Sequence, residues 1–109
     1  MKYSPSVSIV ILNFNGLNDT QTCIRSVLLT KYMNFKIIIV DNGSTVNEMK
    51  LLANEFRSRK IVWKRFKKNL GFAGASNKIM KSVTSKYVAL LNNDTTVDPL
   101  WLQKLIIRN

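Results

Sequence analysis

The sequence has 109 residues, 46% of them hydrophobic, with two prolines, one cysteine and no histidine. That is enough chain for one small domain with a buried core and too apolar for disorder. It excludes a disulfide framework, a cysteine-cluster zinc site and any histidine-based catalysis or metal ligation, while a net charge of +11 points to anionic partners.

No apolar run approaches the roughly 20 residues that span a bilayer. Met1-Lys2-Tyr3-Ser4-Pro5 leads straight into a strand with no signal-peptide core, so a cytoplasmic location is expected. Val7 to Leu12 is a near-continuous apolar run, as in a strand covered on both faces. Asn13-Phe14-Asn15-Gly16 is a turn, and Asn18 or Asp19 is expected to cap a helix to about Lys31 with Ile24, Val27 and Leu28 on its buried face. Cys23 lies beside that face and reads as a packed thiol. Phe35 to Val40 is the second strand. Asp41-Asn42-Gly43-Ser44-Thr45 is a turn, and Ser44 or Thr45 is expected to cap a helix from about Val46 to Arg59 with Met49, Leu52, Ala53 and Phe56 inward. Glu48 and Glu55 on that helix read as solvated.

Arg57 to Lys68, RSRKIVWKRFKK, holds seven cations and no acid. Such a run guards an edge strand, here Ile61 to Arg65, or attracts a membrane surface, a phosphate or nucleic acid. No platform of stacking aromatics accompanies it, which argues against specific nucleic-acid binding. After the loop Asn69-Leu70-Gly71, Phe72 to Val83 reads as helix despite Gly74, and Ser85 to Leu91 as the fourth strand. Asp98-Pro99 then opens a last helix carrying Trp101, Leu102, Leu105 and Ile106. Four strand-helix alternations predict an open parallel α/β sheet, with residues 1–109 as a single domain.

Three of these strands stop abruptly at polar residues: Asn13, Asp41, and Asn92-Asn93-Asp94. Open α/β sheets place ligands at the carboxyl ends of their strands, and a lone carboxylate there can hold a hard cation that in turn holds a diphosphate. The ordered segments VSIVILNFNG, IIIVDNGST, NLGFAGASN and LLNND together resemble the nucleotide-sugar-binding portion of family-2 glycosyltransferases of the Rossmann-like GT-A fold. The likeness is greatest to the rhamnosyltransferase-like branch, and it covers Val7 to about Leu105.

The resemblance implies transfer of a sugar from a UDP- or dTDP-sugar to an acceptor hydroxyl with inversion, in cell-surface polysaccharide synthesis. It implies nucleotide-sugar contacts from Asn13, Asn15, Asp41, Gly71, Gly74, Asn77, Asn92 and Asn93, with Asp41 accepting from the pyrimidine ring. It makes Asp94 the ligand of Mg²⁺ or Mn²⁺. Asn92 stands where the family's Asp-x-Asp element has its first carboxylate. Ala75, Ser76 and Ile79 depart from the usual glycine and asparagine pattern, which bears on donor preference.

In the family the catalytic base follows the Asp-x-Asp element at a distance, whereas 15 residues follow Asp94 here. The base is therefore expected beyond residue 109, and this truncated piece is expected to bind donor without turning it over. The expected partners are a nucleoside diphosphate sugar, a glycan or lipid-linked acceptor, a membrane surface through Arg57–Lys68, and a second copy of the chain at an unpaired sheet edge. The alternatives from other classes are a non-catalytic nucleotide- or anion-binding module and a basic nucleic-acid-binding domain.

Overall fold

A computed structural model describes residues 4–108, with side chains through Ile106. The chain order is β1 (Val7–Asn13), α1 (Leu17–Leu28), β2 (Phe35–Asn42), α2 (Glu48–Glu55), β3 (Ile61–Phe66), α3 (Gly71–Met80), β4 (Tyr87–Leu91) and α4 (Trp101–Arg108). All four strands are parallel, in the order β3-β2-β1-β4. This is the open α/β sheet that the sequence predicts. The order reverses between β1 and β4, so the loops leaving these two neighbours part to opposite sides and open a crevice at the carboxyl ends.

Period-two alternation along the strands fills two layers. Ile9, Ile11, Ile37 and Ile39 face one core with Ile24 and Val27 of α1, Leu52 of α2 and Leu102 of α4. Val10, Ile38 and Val40 face the other with Ile79 of α3. Right-handed crossovers produce this division: β1-α1-β2 and β2-α2-β3 step one way, whereas β3-α3-β4 steps back across the sheet.

Helix starts differ from expectation. α1 begins at Leu17 behind Gly16, with no side-chain cap, so Asn18 and Asp19 sit in its first turn. α2 is capped by Asn47, whose side chain accepts from the Lys50 amide at 3.2 Å. Ser44 is bonded to Asp41 instead, and the Thr45 amide donates to Asn15. α2 stops at Glu55 because Phe56 turns extended and into the core. α4 begins at Trp101, since the Asp98 carboxylate holds the Leu100 amide in a preceding turn. Of the apolar residues that this helix carries, Leu102 is buried and Leu105 is exposed.

Candidate functional site

Asn13 ends β1 with its side chain fully buried, and its amide is spent on the protein. It donates to Asp41 Oδ1 at 3.0 Å and Glu48 Oε1 at 2.9 Å, and its carbonyl accepts from Thr20 Oγ1 at 2.6 Å. Thr20 in turn accepts from Asn93 Nδ2 at 3.1 Å. One chain of hydrogen bonds thus runs from β2 through β1 and α1 to the loop after β4. Glu48 is a fixed acceptor in it and not the solvated residue expected. Asn15 adopts φ 49°, a left-handed geometry that asparagine tolerates better than most residues. From there it exchanges hydrogen bonds with Thr45.

Asp41 lies beneath this network, 0% exposed. Its Oδ1 accepts from Asn13 and Ser44, and its Oδ2 accepts from the Ser44 amide at 3.1 Å and faces Arg65 Nε at 3.4 Å. Four donors occupy both oxygens. The next residue, Asn42, points to the opposite face. Its Oδ1 accepts from the Leu70 amide at 3.0 Å, and its Nδ2 reaches Asn69 Oδ1 at 3.2 Å and the Gly71 carbonyl at 3.3 Å. Asn42 therefore ties the β2 loop to the start of α3.

These ties shape a cavity of about 260 Å³ at the carboxyl ends of the strands, between Leu12, Asn13, Phe14, Asn42, Asn69, Gly71, Phe72 and Asn93. Its two aromatic rings stand open to solvent: Phe14 is 45% and Phe72 56% exposed. A larger hollow of about 380 Å³, around Ser4, Lys31, Tyr32, Met33 and Gln103, lies at the other end of the sheet and contains no carboxylate. The strand-end cavity is the one at the topological switch point.

Of the residues singled out in the sequence, Asn13, Gly71 and Asn93 line this cavity. Gly71 has φ 75°, and a β-carbon there would meet nothing, so backbone conformation sets its identity. Asn15, Asn92 and Asp94 stand exposed on neighbouring loops, and Asp41 is buried below. Gly74 and Asn77 lie exposed along α3 and do not line the cavity, and a β-carbon on Gly74 would come within 3.3 Å of Leu70. Asn42, Asn69, Phe72, Thr20 and Gly16 were not anticipated. Gly16 leaves room for Asn93, whose Nδ2 would be 2.5 Å from a β-carbon there.

Asp94 lies within the turn closed by the Thr95 amide on the Asn92 carbonyl at 3.1 Å. Burial pushes the Cys23 thiol up to about 11, and the Asp94 charge adds to that effect. Among the described residues no three acidic, cysteine or histidine side chains gather as a cation site. Asp94 offers one carboxylate, too few ligands by itself to hold a hard cation.

The model of glycosyl transferase family 2 matches residues 8–108. The chain belongs to that family. An uncharacterized glycosyltransferase of Rickettsia conorii is 36% identical over 88 residues, which are 81% of this chain and 14% of that protein. The uncharacterized glycosyltransferase YibD of Escherichia coli is 27% identical over 106 residues, 97% of this chain and 31% of that protein.

Among solved structures, a mannosyltransferase of Pyrobaculum calidifontis in complex with GDP-Man and Mn²⁺ superposes with TM-score 0.85 at 16% identity. The match covers 96% of this chain and 32% of that one. TarS of S. aureus in complex with UDP-GlcNAc superposes with TM-score 0.83 at 14% identity, covering 94% and 30%. The fold is the GT-A fold of these glycosyltransferases. This family-2 chain spans a third or less of the length of each of these proteins.

Proposed function

We propose that this chain binds the donor of an inverting family-2 glycosyltransferase, a nucleoside diphosphate sugar, whose sugar passes to a hydroxyl of a glycan or lipid-linked acceptor in cell-surface polysaccharide synthesis. The observation that carries the reading is the convergence of the β1, β2 and β4 ends on one crevice, with Asp94 exposed beside it. Phe14 and Phe72 offer apolar faces to a planar base. Asn69 and the backbone at the Gly71 end of α3 offer polar groups to its edge or to the ribose.

Family resemblance supports uridine or deoxythymidine donors. A base contact by Asp41 requires one of its four present donors to give way, so base choice falls to the residues above it. Asp94, with the carbonyls of Asn92 and Asn93 nearby in sequence, would hold Mg²⁺ or Mn²⁺ together with the diphosphate oxygens, as suits hard, oxygen-liganded cations. Such a cation, when bound, neutralises charge on the departing diphosphate. Inversion needs a base that deprotonates the acceptor, and no residue lining the cavity is one. The chain's own part is therefore donor binding and orientation.

The same reading places the protein in the cytoplasm at the inner face of the membrane. Self-association through β4 belongs to it too: β4 has β1 on one side only, and Leu90 is 40% exposed. A monomer in sedimentation at high concentration would remove self-association from the proposal. The donor reading is tested by NMR titration with UDP, dTDP and GDP, with and without Mn²⁺. Shifts at Phe14, Gly71 and Phe72, strengthened by Mn²⁺ in the native chain but not in Asp94→Asn, are expected. An unchanged spectrum at millimolar nucleotide would sink the reading.

A further inference from the structure

The basic run Arg57–Lys68 is not one patch. Arg57, Arg59 and Lys60 precede β3, and Lys60 is engaged there, with Nζ 4.2 Å from the Phe35 ring centroid and 3.2 Å from the Phe35 carbonyl oxygen. The six residues of β3, rising about 3.3 Å each, carry the chain to the opposite end of the sheet before Lys67 and Lys68. There a third lysine, Lys78 of α3, joins them around a hollow of about 340 Å³ whose walls include Arg65, Phe66 and Leu70. Lys78 Nζ sits 5.0 Å from the centroid of the Phe66 ring.

Among the described residues the charge at this hollow is not balanced. Arg65 faces Asp41, and Glu55 and Asp98 are paired with Arg25 and Lys104 elsewhere. Among the described residues, no carboxylate lies within ion-pair distance of Lys67, Lys68 or Lys78. Three cationic side chains lining one concavity raise the local positive potential and favour an entering anion. We propose that this hollow is a second oxyanion site, separate from the donor cavity, which takes the phosphate group of a phosphomonoester or phosphodiester.

Lysines suit that ligand as compact point charges that bind phosphate without demanding one orientation. The site shares a wall with the donor cavity. Asn69, Gly71 and Phe72 line the cavity, whereas Lys67, Lys68 and Leu70 line the hollow. The phosphate can come from a lipid headgroup or from a soluble phosphorylated compound, which present the same chemistry.

The test is an amide-resolved NMR titration of the full chain with inorganic phosphate, beside co-sedimentation with phosphatidylglycerol-containing and pure phosphatidylcholine vesicles. Two variants of equal charge are compared: Lys67→Ala/Lys68→Ala/Lys78→Ala, and Lys31→Ala/Arg57→Ala/Arg59→Ala. Saturable shifts at residues 67, 68 and 78 are expected, weakened about tenfold in the first variant and less than about twofold in the second. If anionic vesicles also pellet the native chain and the second variant but not the first, the phosphate is a lipid headgroup. Saturable phosphate binding without pelleting assigns a soluble ligand. Shifts that never saturate, or equal losses in both variants, reduce the effect to net charge and overturn the proposal.

Discussion

A β-carbon on Gly43 would stand 2.4 Å from the backbone carbonyl carbon of Lys68 and 2.4 Å from the amide nitrogen of Asn69. The β2-α2 turn therefore passes directly against the β3-α3 loop, backbone on backbone, at the only kind of residue that permits it. Gly43 also has φ 81°. Gly43→Ala is expected to lose about 1–3 kcal/mol from the backbone conformation alone, and more from the overlap. Urea unfolding measures this, and a loss below about 0.5 kcal/mol, the level of an ordinary surface substitution, would show that the loops do not need this contact.

Asp41 and Asn42 are adjacent, yet their substitutions separate stability from binding. Asp41→Asn puts an amide donor where both oxygens accept, and about 2–3 kcal/mol of stability is expected to go with those buried bonds. Asn42→Ala instead frees the Leu70 amide and the loop that carries Asn69 and Gly71. About a tenfold loss of nucleotide affinity is expected, at a stability cost of about 1 kcal/mol. Calorimetric titration beside thermal melts reads both, and equal affinities for Asn42→Ala and the native chain would detach this loop from binding.

Ser76 carries the buried side-chain oxygen that finds no partner among the described residues. Removing an unsatisfied hydroxyl relieves its desolvation cost, so Ser76→Ala is expected to stabilise the chain by about 1 kcal/mol. A lower urea midpoint in the variant would mean that the hydroxyl is bonded in solution.

Cys23 predicts an alkaline loss of stability. An unfolded thiol titrates near 9.0, whereas burial and the Asp94 charge hold the folded one up at about 11. Between these values the folded state keeps a proton that the unfolded chain has released. The stability is fully present below the unfolded value and falls as pH rises toward the folded one, by about 2–3 kcal/mol in all. Unfolding at pH 7.5 and pH 10, native against Cys23→Ala, isolates this share from lysine and tyrosine titration. Parallel losses in the two proteins would rule it out.

Strand positions, their parallel arrangement and the polar strand ends were legible because each is written in consecutive residues. What escaped depends on contacts between distant segments. Period-two counting does separate Asp41 from Asn42: Asp41 follows Ile37 and Ile39 toward α1 and α2, and Asn42 follows Ile38 and Val40 toward α3. The cavity lies on the side of Asn42, but which side carries it depends on α3, whose crossover only the fold reveals. Gly16 and Gly43 look like ordinary turn glycines, and their necessity comes from Asn93 and Lys68, both far along the chain. The α2 start was misplaced because Ser44 and Thr45 bond across to the Asn15 loop instead of capping their own helix.

The rim of the donor cavity is fastened mainly by neutral amides and hydroxyls, from Asn13, Asn15, Asn42, Thr20 and Asn93. Neutral fasteners respond weakly to ionic strength, whereas lysines on the far side of the same loop respond strongly. Salt thus becomes a dial that turns one side of the loop and leaves the other alone. The pocket enters each encounter already shaped, while the opposite surface strengthens or relaxes its hold with the ionic conditions around it.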